Sequence, residues 1–388
     1  MFTRRIIEDW WQQRIPLARL NFADLSKEEV PRHRYTFLYY LGGLSLALMI
    51  AQVITGLMLL IYYKPNVSEA YQSVQTLVRG VPFGSEIRNL HVWISQALVI
   101  VVCLHAFTVA LTKSFRRPRE LTWMTGFLSL VLVMAFCFTG YLLPWNTVSV
   151  YATKIALEIG QNSTAFLPGI LAGTGDFMVG LIFGSNQIGP IVLERSYWLH
   201  ILILPLFLLL VLGSHLLLVR LHGVSVPESQ LEGTSFNGKY EPYFQGFALK
   251  EIAIATLLLT AILILAIVLP YDFLLPYTMT APYDPLLPAP SGIKPEWYFN
   301  SLYYLLMIVP LPVVVVLLSF GLLLVLILPW LNMAIYKLCN RAIKEPTMAS
   351  KYASGLVSFC IACWFGWLVA LTFFGPGVVT MFTGKGGH

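Results

Sequence analysis

Charge is what this chain has least of: only 11 % of its 388 residues are Asp, Glu, Lys or Arg, while 57 % are hydrophobic and the mean hydropathy is +0.73. That much apolar surface exceeds what a compact core can hide, which excludes a soluble domain. Cysteine is also scarce. Of the five, Cys103 and Cys137 sit inside apolar runs, and Cys360 and Cys363 form a Cys-x-x-Cys followed by Trp364 rather than histidine. No disulfide framework and no c-type haem attachment motif is present, and the cysteines read as small buried apolar residues. Residues 1 to 34 are charged and hold no apolar core, so no cleavable signal peptide is expected there. Trp10, Trp11, Ile15, Leu17 and Leu20 among arginines predict instead an amphipathic helix at the membrane interface.

Long apolar runs are abundant. Seven of them, roughly 36–62, 90–112, 122–143, 197–219, 250–270, 311–330 and 354–374, have the length that crosses about 30 Å of hydrocarbon. The fold class is therefore all-α, a polytopic membrane protein. Eighteen of the 25 Lys and Arg fall on the side that holds the N-terminus and the loops after the second, fourth and sixth spans. This places the N-terminus in the cytoplasm and the C-terminus outside. The net charge of +6 is then mostly a property of the cytoplasmic face, suited to anionic lipid headgroups and not to nucleic acid. The expected organisation is a cytoplasmic segment (1–34), a four-helix bundle (35–222), a polar hinge (223–249) and a three-helix part (250–388).

Histidines inside apolar spans need a reason. His91 and His105 lie fourteen residues apart on the second span, which returns the second to within roughly 40° of the first and about 21 Å along the axis. The fourth span repeats the pattern with His200 and His215, fifteen apart and roughly 60° past whole turns. Both spans start outside, so they run parallel and His91 faces His200 while His105 faces His215. Glycines echo the pitch: Gly42 and Gly56 on the first span and Gly126 and Gly140 on the third are each fourteen apart. Glycine allows a flat, bulky group to approach a helix backbone, although for one such pair alone small-residue helix packing is the better explanation. Any single buried histidine is better explained as a satisfied core residue or a proton relay. Four at matched depth fit four helices around two stacked planar cofactors. Zinc needs more nitrogen or sulfur donors at each level. Opposed imidazoles without thiolates fit bis-histidine haem, six-coordinate and closed to oxygen, hence an electron-transfer wire across the bilayer.

One carboxylate stands apart. After a proline-rich stretch from Leu269 to Ile293, Lys294-Pro295-Glu296-Trp297-Tyr298 puts an acid among aromatics at the external interface. Its apolar flank predicts a half-buried carboxyl of raised pKa, able to accept a proton.

Taken together, the paired histidines, the four glycines, Arg116-Arg117-Pro118-Arg119-Glu120-Leu121-Thr122-Trp123, the run from Gly140 to Trp145, and Pro295 to Tyr298 resemble cytochrome b of the Rieske/cytochrome b quinol oxidoreductases. The fifteen-residue gap on the fourth span is like the photosynthetic type, here with its two chains fused and seven spans. The resemblance implies two non-covalent haem b groups, the outer held by His91 and His200 and the inner by His105 and His215, with Arg88 against a haem propionate. It implies a quinol-oxidation pocket lined by Tyr141, Pro295, Glu296, Trp297 and Tyr298, with Glu296 taking the proton. It places Arg220, Lys250 and Glu251 near an inner quinone-reduction pocket. One electron from quinol would go to a Rieske iron-sulfur protein, serving a c-type cytochrome, and one inward to quinone, with protons released outside. A homodimeric complex in a prokaryotic inner (plasma) membrane is the expected setting.

The chain departs from the family in three places. Tyr39 and Tyr40 stand where the photosynthetic type carries a haem-fixing cysteine, so no third, covalent haem is expected. Thr108 replaces a usual arginine, as do Leu306 and Met307 near a second such position. Two other readings share some of these features. A di-haem anchor of a dehydrogenase or hydrogenase would not need Glu296 or the proline-rich segment, and a haem-free transporter would use the histidines as relays.

Overall fold

The computed structural model describes residues 2–19, 28–226, 239–275, 277–343 and 346–383. The chain runs through α1 (Phe2–Arg14), α2 (Tyr40–Leu60), α3 (Ala70–Gly80), α4 (Gly84–Thr112), α5 (Glu120–Leu142), α6 (Thr147–Asn162) and α7 (Thr174–Phe183). It continues through α8 (Pro190–His222), α9 (Tyr243–Val268), α10 (Asn300–Ile308), α11 (Leu311–Leu326), α12 (Leu328–Ile343) and α13 (Pro346–Thr383). The only sheet among the described residues is a two-stranded clasp in which β1 (Glu29–Pro31) pairs antiparallel with β2 (Tyr240–Pro242). That clasp ties the end of the expected hinge to the N-terminal segment, while 227–238 of the hinge lie outside the described residues.

Six helices are long and apolar enough to cross a membrane, with the α11/α12 pair making up to seven. The sixth expected span, 311–330, does not run straight. α11 ends at Leu326 and α12 leaves at 77°. The cause is local: Pro329 lacks the amide hydrogen needed to continue α11, and α12 carries Lys337 and Arg341, charges that favour the interface over the hydrocarbon. The apolar surface faces outward, as a bilayer solvent allows. On α2, Ile50, Val53, Ile54 and Leu57 form an exposed stripe at helical spacing, while Leu44, Leu48 and Met49 face the bundle.

The bundle is built from two helix pairs, α2 with α4 and α5 with α8, and α9 packs on α2 and α4. Its main core, Leu48, Met49, Ile94, Leu98, Val99, Val102, Val133 and Ile262, fills the middle of α2, α4, α5 and α9. In α8 the residues Leu199–Ile203 form a π turn, closed by the Leu204 amide on the Leu199 carbonyl. Pro205 follows directly and has no amide hydrogen to offer the ordinary helical acceptor.

Candidate functional site

The π turn explains the unequal histidine spacing. A π turn takes in one extra residue, so the fifteen-residue gap from His200 to His215 is brought back toward the fourteen-residue pitch of His91 and His105. His91 on α4 and His200 on α8 face each other with ring centres 6.5 Å apart. At about 2 Å per metal–imidazole bond, two opposed ligands put their ring centres roughly 6 Å apart, so this pair fits one central metal. His105 and His215 face each other as a second pair.

Each histidine rests against one of the four glycines. A Cβ at Gly42 would lie 3.4 Å from the His105 ring, at Gly56 3.3 Å from His91, at Gly126 2.8 Å from His215, and at Gly140 2.6 Å from His200. The glycines therefore sort by level, 56 and 140 with His91/His200, and 42 and 126 with His105/His215. What lies against them is the imidazole edge itself.

Threonines that the sequence reading missed fix the ring tautomers. Thr55, Thr125 and Thr139 each give their hydroxyl hydrogen to a carbonyl four residues back, Ala51, Leu121 and Ala135. Their oxygens are left to accept from Nδ1 of His91 (2.9 Å), His215 (3.3 Å) and His200 (3.2 Å). The Nδ1 of His215 also meets the Thr122 carbonyl at 2.9 Å. With Nδ1 donating, Nε2 keeps the lone pair a metal requires. The signal was in the sequence: three of the four glycines are preceded by threonine, and the fourth, Gly42, follows Leu41.

Among the described residues no cluster of three or more His, Cys, Asp or Glu could hold a metal ion. Two-ligand levels of this kind suit a metal whose other ligands come from a planar macrocycle, and the residues present fit haem.

At the end of the bundle nearer His91, Glu296 is half-buried between α4 and the segment that follows α9. The Tyr271 hydroxyl lies 2.7 and 2.6 Å from its two oxygens, and the Gln96 amide donates at 3.4 Å. Gln96 is turned by Trp297, whose indole N–H donates to the Gln96 carbonyl at 2.5 Å. Burial raises the Glu296 pKa above the ordinary carboxylate range, opposed by the Tyr271 and Gln96 hydrogen bonds. Tyr141 and Tyr298 lie close enough to feel its charge, and Tyr298 also meets the Cys137 thiol. Trp297 and Tyr298 pack on the bundle core. Pro295 stands just before the glutamate, in the stretch leading into the helical turn Trp297–Phe299. Arg88, expected against a haem propionate, makes a two-pronged pair with Asp272 at 2.6 and 3.0 Å. Gln96, Tyr271 and Asp272 were not legible as site residues, because only the folded chain brings α4 beside the turn after α9.

At the opposite end Lys250 pairs with Glu241 at 2.7 Å, and Arg220 pairs with Glu28. The Glu251 carboxyl packs onto Gly43, which leaves no room for a Cβ there. Tyr40 and Phe247 stack beside it with centres 4.6 Å apart, and Tyr243 lies within reach of the Glu251 charge. Lys250 and Glu251 thus share one neighbourhood with Tyr40, whereas the guanidinium of Arg220 is turned to the N-terminal segment.

Fold and site together define a polytopic helical membrane protein whose central bundle carries two levels of opposed histidines. Residues 26–223 match the family described as cytochrome b/b6/petB, and residues 282–381 match cytochrome b(C-terminal)/b6/petD. The chain belongs to the cytochrome b family, with the b6-type part and the C-terminal part fused in one polypeptide. A cytochrome bc complex cytochrome b subunit of Chlorobaculum thiosulfatiphilum is 35% identical over 308 residues, 78% of this chain and 67% of that one. Cytochrome b6 of Prochlorococcus marinus (strain MIT 9303) is 40% identical over 221 residues, 57% of this chain and 97% of its own length. A solved chain from a hyperthermophilic respiratory Complex III aligns with a TM-score of 0.72 at 26% identity, covering 97% of this chain and 100% of that one.

Proposed function

We propose that this chain is the cytochrome b subunit of a bc-type complex that oxidises quinol beside Glu296 and reduces quinone at the opposite end of the bundle. His91 and His200 would hold one haem b and His105 and His215 the other, both non-covalently. When bound, the two haems carry single electrons across the membrane between the quinol and quinone sites. The observation that carries the reading is the conjunction on α4 of two paired histidines with Gln96, which reaches the half-buried Glu296. A di-haem anchor would need the histidines and not the carboxylate.

The protein groups do the proton work. Quinol must lose protons as its electrons leave, and the half-buried Glu296 carboxylate, near Tyr141, Trp297 and Tyr298, is the group able to accept one. At the other end Glu251 and Lys250 flank the Tyr40–Phe247 stack, where a quinone ring can lie against aromatics and find a proton donor. The excess of Lys and Arg around the N-terminus and the α4–α5 loop supports a cytoplasmic position for that end and an external one for Glu296, in this reading across a prokaryotic plasma membrane. Partners on this reading are a Rieske iron-sulfur protein and a c-type cytochrome, in a homodimeric complex surrounded by lipid.

Glu296→Gln tests the reading. The amide keeps size and hydrogen bonding but cannot take a proton, so haem reduction by quinol in stopped flow should slow by about 10² to 10⁴ with both haems retained. A native rate across pH 6 to 8 would remove Glu296 from the mechanism and favour the di-haem anchor.

A further inference from the structure

The turn that carries Tyr271, together with the end of α9 that leads into it, is fastened by three side chains of α4. Asn89 donates to the Ala266 carbonyl at 3.4 Å, the Trp93 indole donates to the Leu269 carbonyl at 2.9 Å, and Arg88 grips Asp272 with both guanidinium nitrogens. The Trp93 ring also meets the Tyr271 ring edge-on, with centres 5.6 Å apart. Residues 89, 93 and 96 lie one and two turns apart on a single face of α4, so the face that fixes the turn also presents Gln96 to Glu296. Pro270 sets the turn's start, and the four residues Tyr271–Leu274 follow as one tight helical turn. Tyr271 thus arrives at Glu296 on a rigid support.

Its hydroxyl suits both states of the acid. Facing the anion, the single O–H donates to a carboxylate whose two oxygens lie nearly equidistant at 2.7 and 2.6 Å. Facing the neutral acid, the phenolic oxygen has a lone pair to accept the carboxyl hydrogen, while Gln96 can still donate to the other oxygen. Gln96 cannot turn round, because the Trp297 indole is a donor only and requires the amide carbonyl on its own side.

We propose that Tyr271, assisted by Gln96, is a positioning residue that holds the Glu296 carboxyl at the quinol pocket both before and after it takes up a proton. The inference rests on the reading of Glu296 as the base for quinol. The groups facing the carboxyl are Gln96 and, beyond it, Arg88 on α4; Cys137 and Tyr141 on α5; Tyr271 with Asp272 on the turn; and Tyr298 from its own segment. Of these only Tyr271 and Gln96 hydrogen-bond to it, and the Tyr271 contact is much the shorter.

The sign of the pH effect follows. A donor to the anion favours the charged form, so removing the Tyr271 hydroxyl raises the pKa of Glu296 further, and the base becomes available only at higher pH. The experiment compares wild type, Y271F, Q96M and E296Q, each as the full complex. The first readout is infrared titration of the protonated carboxyl band that E296Q lacks, and the second is the pH profile of quinol oxidation. In Y271F the carboxyl midpoint should rise by about one pH unit, the difference between a hydrogen bond to the charged carboxylate and one to the neutral acid. The acid limb of the rate profile should move with it, and Q96M should shift both in the same direction by less. Phenylalanine keeps the ring that packs on Trp93. If Y271F does not assemble, Q96M alone reads the clamp, and an unmoved midpoint there overturns the proposal. A native midpoint and native profile in Y271F overturn it equally, while E296Q remains slow and the function stands. Native rates in E296Q would instead sink the quinol-base reading, whatever the infrared midpoint of Y271F does.

Discussion

At the residue scale the glycines are the sharpest probe, because the room at each is different. A methyl at Gly140 or Gly126 would sit 2.6 or 2.8 Å from an imidazole carbon, closer than carbon atoms approach, whereas at Gly42 it would sit at 3.4 Å, ordinary contact. Gly140→Ala and Gly126→Ala should each cost about 1 to 3 kcal/mol by overpacking and reduce the haem held at their own level. Gly42→Ala should be nearly silent, and haem content per polypeptide measures the difference. Equal losses at all three would mean that the ligand rings are not positioned by these contacts. The histidines and glycines were legible because a spacing of fourteen or fifteen residues repeats on four separate spans, a pattern that packing alone does not produce. The threonines stand one residue before three of the glycines, but a lone hydroxyl in a span is ordinary, and their role shows only once each is seen against an imidazole. Tyr271 and Gln96 carried no such signal. They stand 25 and 200 residues from Glu296 along the chain and become its partners only in the fold.

At the element scale the seven apolar runs located the spans, but hydropathy does not show what bends a helix. Pro205 follows the turn that becomes π-helical, and Pro329 stands where the sixth span breaks; both act by withholding one amide hydrogen, an effect that depends on where in the helix the proline falls. Of the expected N-terminal amphipathic segment, Trp10 and Trp11 fall in α1, which ends at Arg14, Ile15 and Leu17 lie beyond it and Leu20 is outside the described residues; the anchor of α1 was not legible. Arg14 and Glu120 form an ion pair with both side chains about 95 % buried, Arg14 also lying over the Trp10 ring at 4.2 Å. Removing one partner leaves an unpaired buried charge, so Arg14→Ala should destabilise the docking of α1 on α5 by about 3 to 5 kcal/mol. Thermal unfolding in detergent checks the loss. Arg14 and Glu120 replaced together by Met and Leu should recover most of it, and a single variant as stable as wild type would show that the pair contributes nothing.

At the scale of the whole molecule, two apolar pairs of helices hold two ligand levels, and one end adds a carboxylate that a simple electron conduit does not need. The family resemblance covered nearly the whole chain, and the match of residues 26–223 and 282–381 to the two cytochrome b parts agrees with it. The central claim is that each level binds one haem independently. It is tested most directly by counting haem b per polypeptide, by acid-solvent extraction and reduced-minus-oxidised spectra, in wild type, His91→Ala and His105→Ala. Wild type should hold two extractable haems. Each variant, still folded, should hold one, with a different haem remaining in each. No haem in wild type, a haem that survives denaturing electrophoresis, or loss of both haems together in a folded single variant would contradict the account.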